Sequence, residues 1–224
     1  RKLRMRDLLI LGIIIAALPF AIAHTWIAVI LWTWISLMNP HKLAFGFILN
    51  APIAAVAAGA ALLSMVFTRD KLRMPWTPPV IVLLLLVLWM CLTTVFAIDP
   101  IGSSSQLNKV MKIQIMTVVA LIALQTRKHI EMFIWIIVLS IGYYGFKGGI
   151  FTILTGGGSR VWGPPGSFIE ENNALAVAVI MTIPLINYLR MVATRLVFRL
   201  GLLALMLLCT LSALGSQSRG AFLA

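Results

Sequence analysis

The sequence predicts an all-α membrane protein, a polytopic bundle of about seven or eight apolar helices. Of the 224 residues, 61% are hydrophobic and only 11% are charged, which is more apolar surface than a soluble domain of this length can bury. The apolar residues form runs that approach the length of about 20 needed to cross a bilayer. The runs do not alternate polar and apolar residues as barrel strands do, so each is predicted to be a helix.

Each apolar run is bounded by a short polar segment, and the runs give the predicted helices in chain order. They are 8–23, 25–38, 44–67, 80–97, 110–125, 132–146, 174–189 and 200–214. Only His24 separates the first two runs, and Pro19 lies within the first. We therefore expect either one long tilted helix over 8–38, or two short segments of which one is re-entrant or interfacial.

Lysine and arginine residues form four clusters between the runs, at 1–6, 69–73, 127–128 and 190–199. Such clusters mark the cytoplasmic side of membrane proteins, so the net charge of +12 indicates orientation in a membrane and no nucleic-acid partner is predicted. The opposite side, the periplasm in a bacterial cell, would hold the remaining segments 98–108, 147–173 and 216–219. Tryptophans near the predicted helix ends are typical of an interfacial belt, and these are Trp26, Trp32, Trp34, Trp76 and Trp162.

We divide the chain into amino-terminal membrane helices at 1–145 and a second region at 146–224. The chain begins with Arg1 and stops within a new apolar run after Gly220, so we expect it to be part of a longer protein. The histidines and the two cysteines show no metal-ligand spacing, and neither a metal nor a cofactor is predicted.

The longest polar interruption, 147–173, is the first candidate site. It contains three consecutive glycines at 156–158, the pair Pro164-Pro165 and Arg160. Glycine lets the backbone approach a ligand, the prolines stiffen the turn, and Arg160 offers a fixed positive charge to an anion. The stretch lacks the Gly-Lys-Ser/Thr ending of a nucleotide-binding loop, and an ordinary turn at the membrane surface remains the alternative.

Arg219 marks the second candidate site, because an arginine between two apolar runs needs water or an anionic partner. It is predicted to be either an interfacial anchor or a functional cation. The two predicted helices over 174–214 form a hairpin that returns the chain to the face it left, so Arg160 and Arg219 can converge on one anion. Other residues that we expect to line this site are Lys147, Gly163, Glu170, Asn172, Asn173 and Ser218. Helix capping is an equal alternative for the acidic and asparagine residues.

Several stretches resemble a known family. Residues 218–224, Ser-Arg-Gly-Ala-Phe-Leu-Ala, resemble the Ser-Arg-Gly motif that opens the core of the bacterial O-antigen ligase and polysaccharide polymerase superfamily. Residues 144–149 and 160–173, with Arg-Val-Trp-Gly-Pro-Pro-Gly-Ser-Phe-Ile and Asn172-Asn173, are similar to its O-glycosylation ligases of the exosortase A system. Segments 38–41 and 93–97 are similar to the amino-terminal region of that subgroup.

The resemblance implies a metal-independent glycosyltransferase of the bacterial inner membrane. Such a protein transfers a glycan from an undecaprenyl-diphosphate carrier, on the periplasmic side, to a lipid A core or a protein acceptor. The resemblance assigns the diphosphate to Arg160 and Arg219, and guanidinium groups suit a leaving group that gains negative charge. The family's catalytic histidine follows the Ser-Arg-Gly helix, so we expect it after Ala224 and predict no catalytic residue within 1–224.

Three alternatives remain. A polymerase of lipid-linked repeat units would share the donor and differ in its acceptor. A membrane transporter would use 147–173 as a gate, although transporters usually place polar residues near the middle of their spans. A membrane scaffold would explain the apolar runs but not the two arginines on one face.

Overall fold

The computed structural model describes residues 5–40, 52–68 and 70–223. These residues form eight helices and one final helical turn, without a strand, which confirms the predicted all-α bundle. The elements are α1 (Met5–Ala23), α2 (Thr25–Met38), α3 (Ile53–Phe67), α4 (Pro78–Val95), α5 (Pro100–Ala123), α6 (Arg127–Leu154), α7 (Asn172–Val192), α8 (Leu196–Gly215) and α9 (Arg219–Leu223).

Five of the described helices, α4 to α8, are long and apolar enough to cross a membrane. The described apolar stretches of α1, α2 and α3 are shorter, at 10 to 17 residues. These three helices pack together around small side chains, among them Ala21, Ala28, Ala57 and Ala61, and α5 adds Met116 to the same cluster. The predicted basic cluster at 1–6, Arg69 and the first part of the predicted run 44–67 lie outside the side chains that the structure describes.

Of the two alternatives for residues 8–38, the one long helix is wrong, because α1 and α2 are separate helices. His24 has extended backbone angles, with φ −134° and ψ 114°, and therefore interrupts the helical path. The break is held by the segment after α3: Thr68 Oγ1 donates a hydrogen bond to the carbonyl oxygen of Ala23 at 3.1 Å, and Asp70 Oδ1 lies 3.2 Å from His24 Nδ1. A carbonyl at the end of α1 thus finds a partner that a continuous helix would have supplied.

The described loops gather at two ends of the bundle. At the basic end, formed by 24–26, 70–77, 124–131 and 188–199, the Trp26 and His129 rings stack with centroids 4.4 Å apart, and Gln125 Nε2 donates to the carbonyl oxygen of Arg73 at 2.7 Å. At the far end, formed by 38–39, 155–171 and 215–219, the Val161 amide donates to the carbonyl oxygen of Gly215 at 3.2 Å. For 147–173 and 216–219, this is the grouping that the charge clusters from residue 70 onward predict.

Two predicted loops prove to be helical. α5 begins at Pro100 instead of residue 110, because the Asp99 side chain accepts a hydrogen bond from the Gly102 amide at 3.0 Å and caps the helix. α6 continues to Leu154, eight residues beyond the predicted end at 146. Lys147 therefore projects from a helix, and the division at 145/146 falls within α6.

Glycines explain why α6 continues. Gly142, Gly145, Gly148 and Gly149 lie against α8, and an added Cβ at Gly149 would overlap the backbone of Leu208. Added Cβ atoms at Gly145 and Gly148 would overlap side chains of α8, namely Cys209 and Ser212. Small residues let membrane helices approach closely, and the contact compensates for the low helical propensity of glycine. This glycine seam, residues 142, 145, 148 and 149, fixes the end of α8 beside the loop that follows α6.

Candidate anion-binding site at the far end

The loop between α6 and α7 is shaped by glycines and held by two anchors. Gly156 and Gly157 have positive φ angles of 57° and 77°, which side-chain-bearing residues rarely adopt, and they turn the chain at the end of α6. The buried Val161 is anchored to Gly215 through its amide. The Gly163 amide donates to the carbonyl oxygen of Glu170 at 2.9 Å, in an approach so close that a Cβ at Gly163 would overlap the backbone of Ile169.

Gln217 joins this loop to the turn before Arg219. Its backbone adopts a left-handed conformation with φ 53°. Its Nε2 donates to the carbonyl oxygen of Gly157 at 3.0 Å, and its Oε1 accepts from Arg160 Nε at 3.3 Å. One side chain therefore positions the guanidinium of Arg160 and ties it to the turn that carries Arg219. Sequence reasoning placed Gln217 in the polar turn but gave it no role.

Arg160 and Arg219 line one cavity of about 490 Å³ at the far end. The other residues that line it are Asn172, Asn173, Val177, Gln217, Ser218 and Gly220. The cavity thus presents two guanidinium groups and two amide side chains, and its described lining contains no carboxylate. Such a lining favours an anion, because both cations are always charged and each presents several N–H donors.

Two lining residues also hold the site together. Asn172, the first residue of α7, donates from Nδ2 to the carbonyl oxygen of Ser216 at 2.9 Å. Ser218 is buried, and its amide donates to Ser216 Oγ at 3.2 Å. Helix α7 and the turn after α8 are thereby fixed to each other, with Asn173 exposed beside them.

The remaining predicted site residues lie elsewhere. Lys147 and Gly163 line a neighbouring cavity of about 300 Å³, and Arg160 lines this cavity as well. Glu170 lines neither cavity; its Oε2 accepts from the Gly166 amide at 2.8 Å and closes the loop on itself. The alternative role of helix capping does not apply to Glu171. This residue is the N-cap of α7, but its side chain makes no capping hydrogen bond. Within the described ranges, no group of three or more His, Cys, Asp or Glu side chains could hold a metal ion.

A family model described as a family of unknown function, DUF5935, matches residues 5–194. The chain belongs to this family. The match covers α1 to α7 and the loop that carries Arg160, and it ends before the turn that carries Arg219. No curated protein and no solved structure matches the chain.

Proposed function

We propose that this chain forms the donor site of an inner-membrane glycan ligase. The ligase would transfer an oligosaccharide or polysaccharide from an undecaprenyl-diphosphate carrier to a lipid A core or a protein acceptor. The observation that supports the proposal is that Arg160 and Arg219, which are 59 residues apart in sequence, line one cavity free of described carboxylates.

The proposed reaction explains why two guanidinium groups are needed. An acceptor hydroxyl attacks the anomeric carbon, a new glycosidic bond forms, and the bond from that carbon to the diphosphate oxygen breaks. The electron pair stays on the departing undecaprenyl diphosphate, and the hydroxyl proton passes to a base. Arg160 and Arg219 would bind the diphosphate and stabilise the charge that develops on it.

The position of the cavity suits a lipid-linked donor. It lies at the end of the membrane-length helices α6, α7 and α8, where a prenyl chain can remain in the bilayer while its diphosphate reaches water. The described basic clusters at 127–128 and 190–199 lie at the opposite end, and by the positive-inside rule this supports a periplasmic position for the cavity. A transporter would require a polar path across the bilayer, whereas Arg160 and Arg219 both lie at one end.

The experiment measures glycan transfer by the full-length protein with Arg160→Ala, Arg219→Ala and the corresponding lysine variants. We expect each alanine variant to lose transfer by about 100-fold or more, as for other lost transition-state donors. Lysine keeps the charge but not the paired N–H donors, so it should also fail to support normal transfer.

Arg199→Ala is the matched control, because Arg199 is an exposed arginine at the basic end. Normal transfer by both alanine variants, at normal protein level in the membrane, would contradict the proposal. Transfer to a second lipid-linked glycan instead of lipid A core or protein would identify a repeat-unit polymerase.

A further inference from the structure

The second cavity at the far end differs in character from the first. Its walls include the aromatic side chains of Tyr144, Phe151 and Trp162 and the prolines Pro164 and Pro165. Two cations, Lys147 and Arg160, also line it. An apolar cavity with a few polar groups is typical of a site for an amphipathic organic ligand.

Trp162 is exposed although its two chain neighbours are fixed. Val161 is buried and bound to Gly215, and Gly163 is bound to Glu170, whereas the Trp162 residue is 60% exposed. The backbone therefore holds a large aromatic ring at the cavity before any ligand arrives. The sequence predicts Trp162 as an interfacial belt residue; in the structure it lies within a hydrogen-bonded loop and lines the wall of the second cavity.

Arg160 connects the two cavities, because it lines both. A donor whose diphosphate binds Arg160 and Arg219 can therefore extend one of the two groups attached to that diphosphate toward the second cavity. These groups are a sugar ring and a prenyl chain. A sugar has hydroxyl groups that can accept hydrogen bonds from Lys147, while a hydrocarbon chain offers this cation no acceptor.

We propose that the second cavity binds the sugar ring attached directly to the diphosphate, with the apolar face of that ring stacked on Trp162. This inference rests on the proposed function, since it takes the donor from it. Trp162 then acts as a residue that selects glycan-bearing carrier over the spent carrier, which has the same diphosphate and prenyl chain but no sugar.

The test compares two probes, undecaprenyl diphosphate and undecaprenyl-diphosphate-linked N-acetylglucosamine, binding to the purified full-length protein in nanodiscs. We expect the unmodified protein to bind the sugar-bearing carrier about five-fold more tightly, a factor equivalent to one aromatic contact. Trp162→Ala should abolish this preference and leave the affinity for undecaprenyl diphosphate unchanged. Trp162→Phe should retain most of it, and Trp76→Ala, at an exposed tryptophan of the basic end, should retain all of it.

The outcomes separate this inference from the proposed function. If Trp162→Ala weakens both probes equally, the cavity holds the prenyl chain and the inference is wrong. If the unmodified protein binds both probes equally tightly, the inference is wrong. It is also wrong if Trp162→Ala keeps the same preference for the sugar-bearing carrier as the unmodified protein. Arg219→Ala should weaken both probes by the same factor, and an unchanged affinity there would overturn the proposed function whatever Trp162 does.

Discussion

The helices α4 and α6 show opposite relations between composition and burial. α4 is built largely of leucine and valine, yet only 6% of its span is buried and Val80 is its single buried residue. α6 is less apolar and contains four glycines, yet 44% of its most apolar stretch is buried. In a soluble protein the more apolar helix would occupy the core.

The difference in burial between α4 and α6 indicates which interaction stabilises this bundle. Lipid tails solvate leucine as well as a neighbouring helix does. Helix α4 therefore gains little stability by packing against helices other than α5. Close contact between backbones is available only where side chains are small, and the glycine seam supplies it for α6 and α8. The residues that define the far end are therefore attached to the helix pair with the closest backbone contact.

Gly149→Val has the largest expected effect. If this variant were tolerated, α6 would resemble the lipid-facing α4 and the contrast between the two helices would not hold. The added side chain meets the backbone of Leu208, which cannot rotate away, so we expect a loss of about 3 kcal/mol in the free energy of unfolding. The measurement is unfolding by sodium dodecyl sulfate in mild detergent. Gly201→Val in α8 is the control, because no atom of another element lies within 4 Å of a Cβ there, and it should change the free energy of unfolding only by the small propensity difference, which favours valine. Equal losses for both variants would show that the seam is not in close contact.

Leu175→Ala and Leu85→Ala test the contrast between buried and lipid-facing leucines. Leu175 in α7 is 1% exposed and Leu85 in α4 is 58% exposed. We expect the first change to lower the free energy of unfolding by about 2.5 kcal/mol, since it leaves a cavity, and the second to change it by less than about 0.5 kcal/mol. The same detergent unfolding assay applies. A large effect of Leu85→Ala would indicate that α4 is covered by a partner under the conditions of the assay.

Asn172→Ala is expected to have the smallest effect of the three. It tests whether the hydrogen bond between α7 and the turn after α8 contributes to the stability of the far end. The change removes the hydrogen bond to the Ser216 carbonyl, so we expect a loss of about 1 kcal/mol. Hydrogen exchange should report faster opening of the turn at 216–218. Asn173→Ala, at the exposed neighbouring residue, should leave both quantities unchanged; a similar effect there would mean that the Asn172 bond adds nothing.

The sequence predicts helices well where a run is purely apolar, and less well where glycine or polar residues continue a helix. The predicted run 80–97 differs from α4 by two residues at each end, because leucine-rich runs have clear boundaries. The sequence predicts the end of α6 eight residues too early, since Gly148 and Gly149 are typical of loops unless a second helix packs against them. Such a contact between distant residues is not encoded locally.

The sequence likewise predicts one part of the candidate site and not another. A pair of consecutive helices returns the chain to one face, so the meeting of Arg160 and Arg219 at one end follows from counting helices. The role of both arginines stays a prediction. Gln217 could not be assigned from the sequence, because glutamine is uncommon in the left-handed conformation and only its contacts with Gly157 and Arg160 show what the conformation achieves.

The glycine seam has a mechanical consequence for access to the far end. Because the seam residues of α6 carry no side chains, α6 and α8 pack with little deformable material between them, and they should move as one body. Arg160 follows α6 and is tied through Gln217 to the end of α8, so this wall of the cavity has little freedom to open. A lipid-borne molecule would therefore have to arrive sideways, past the start of α7 or past the residues that follow α8.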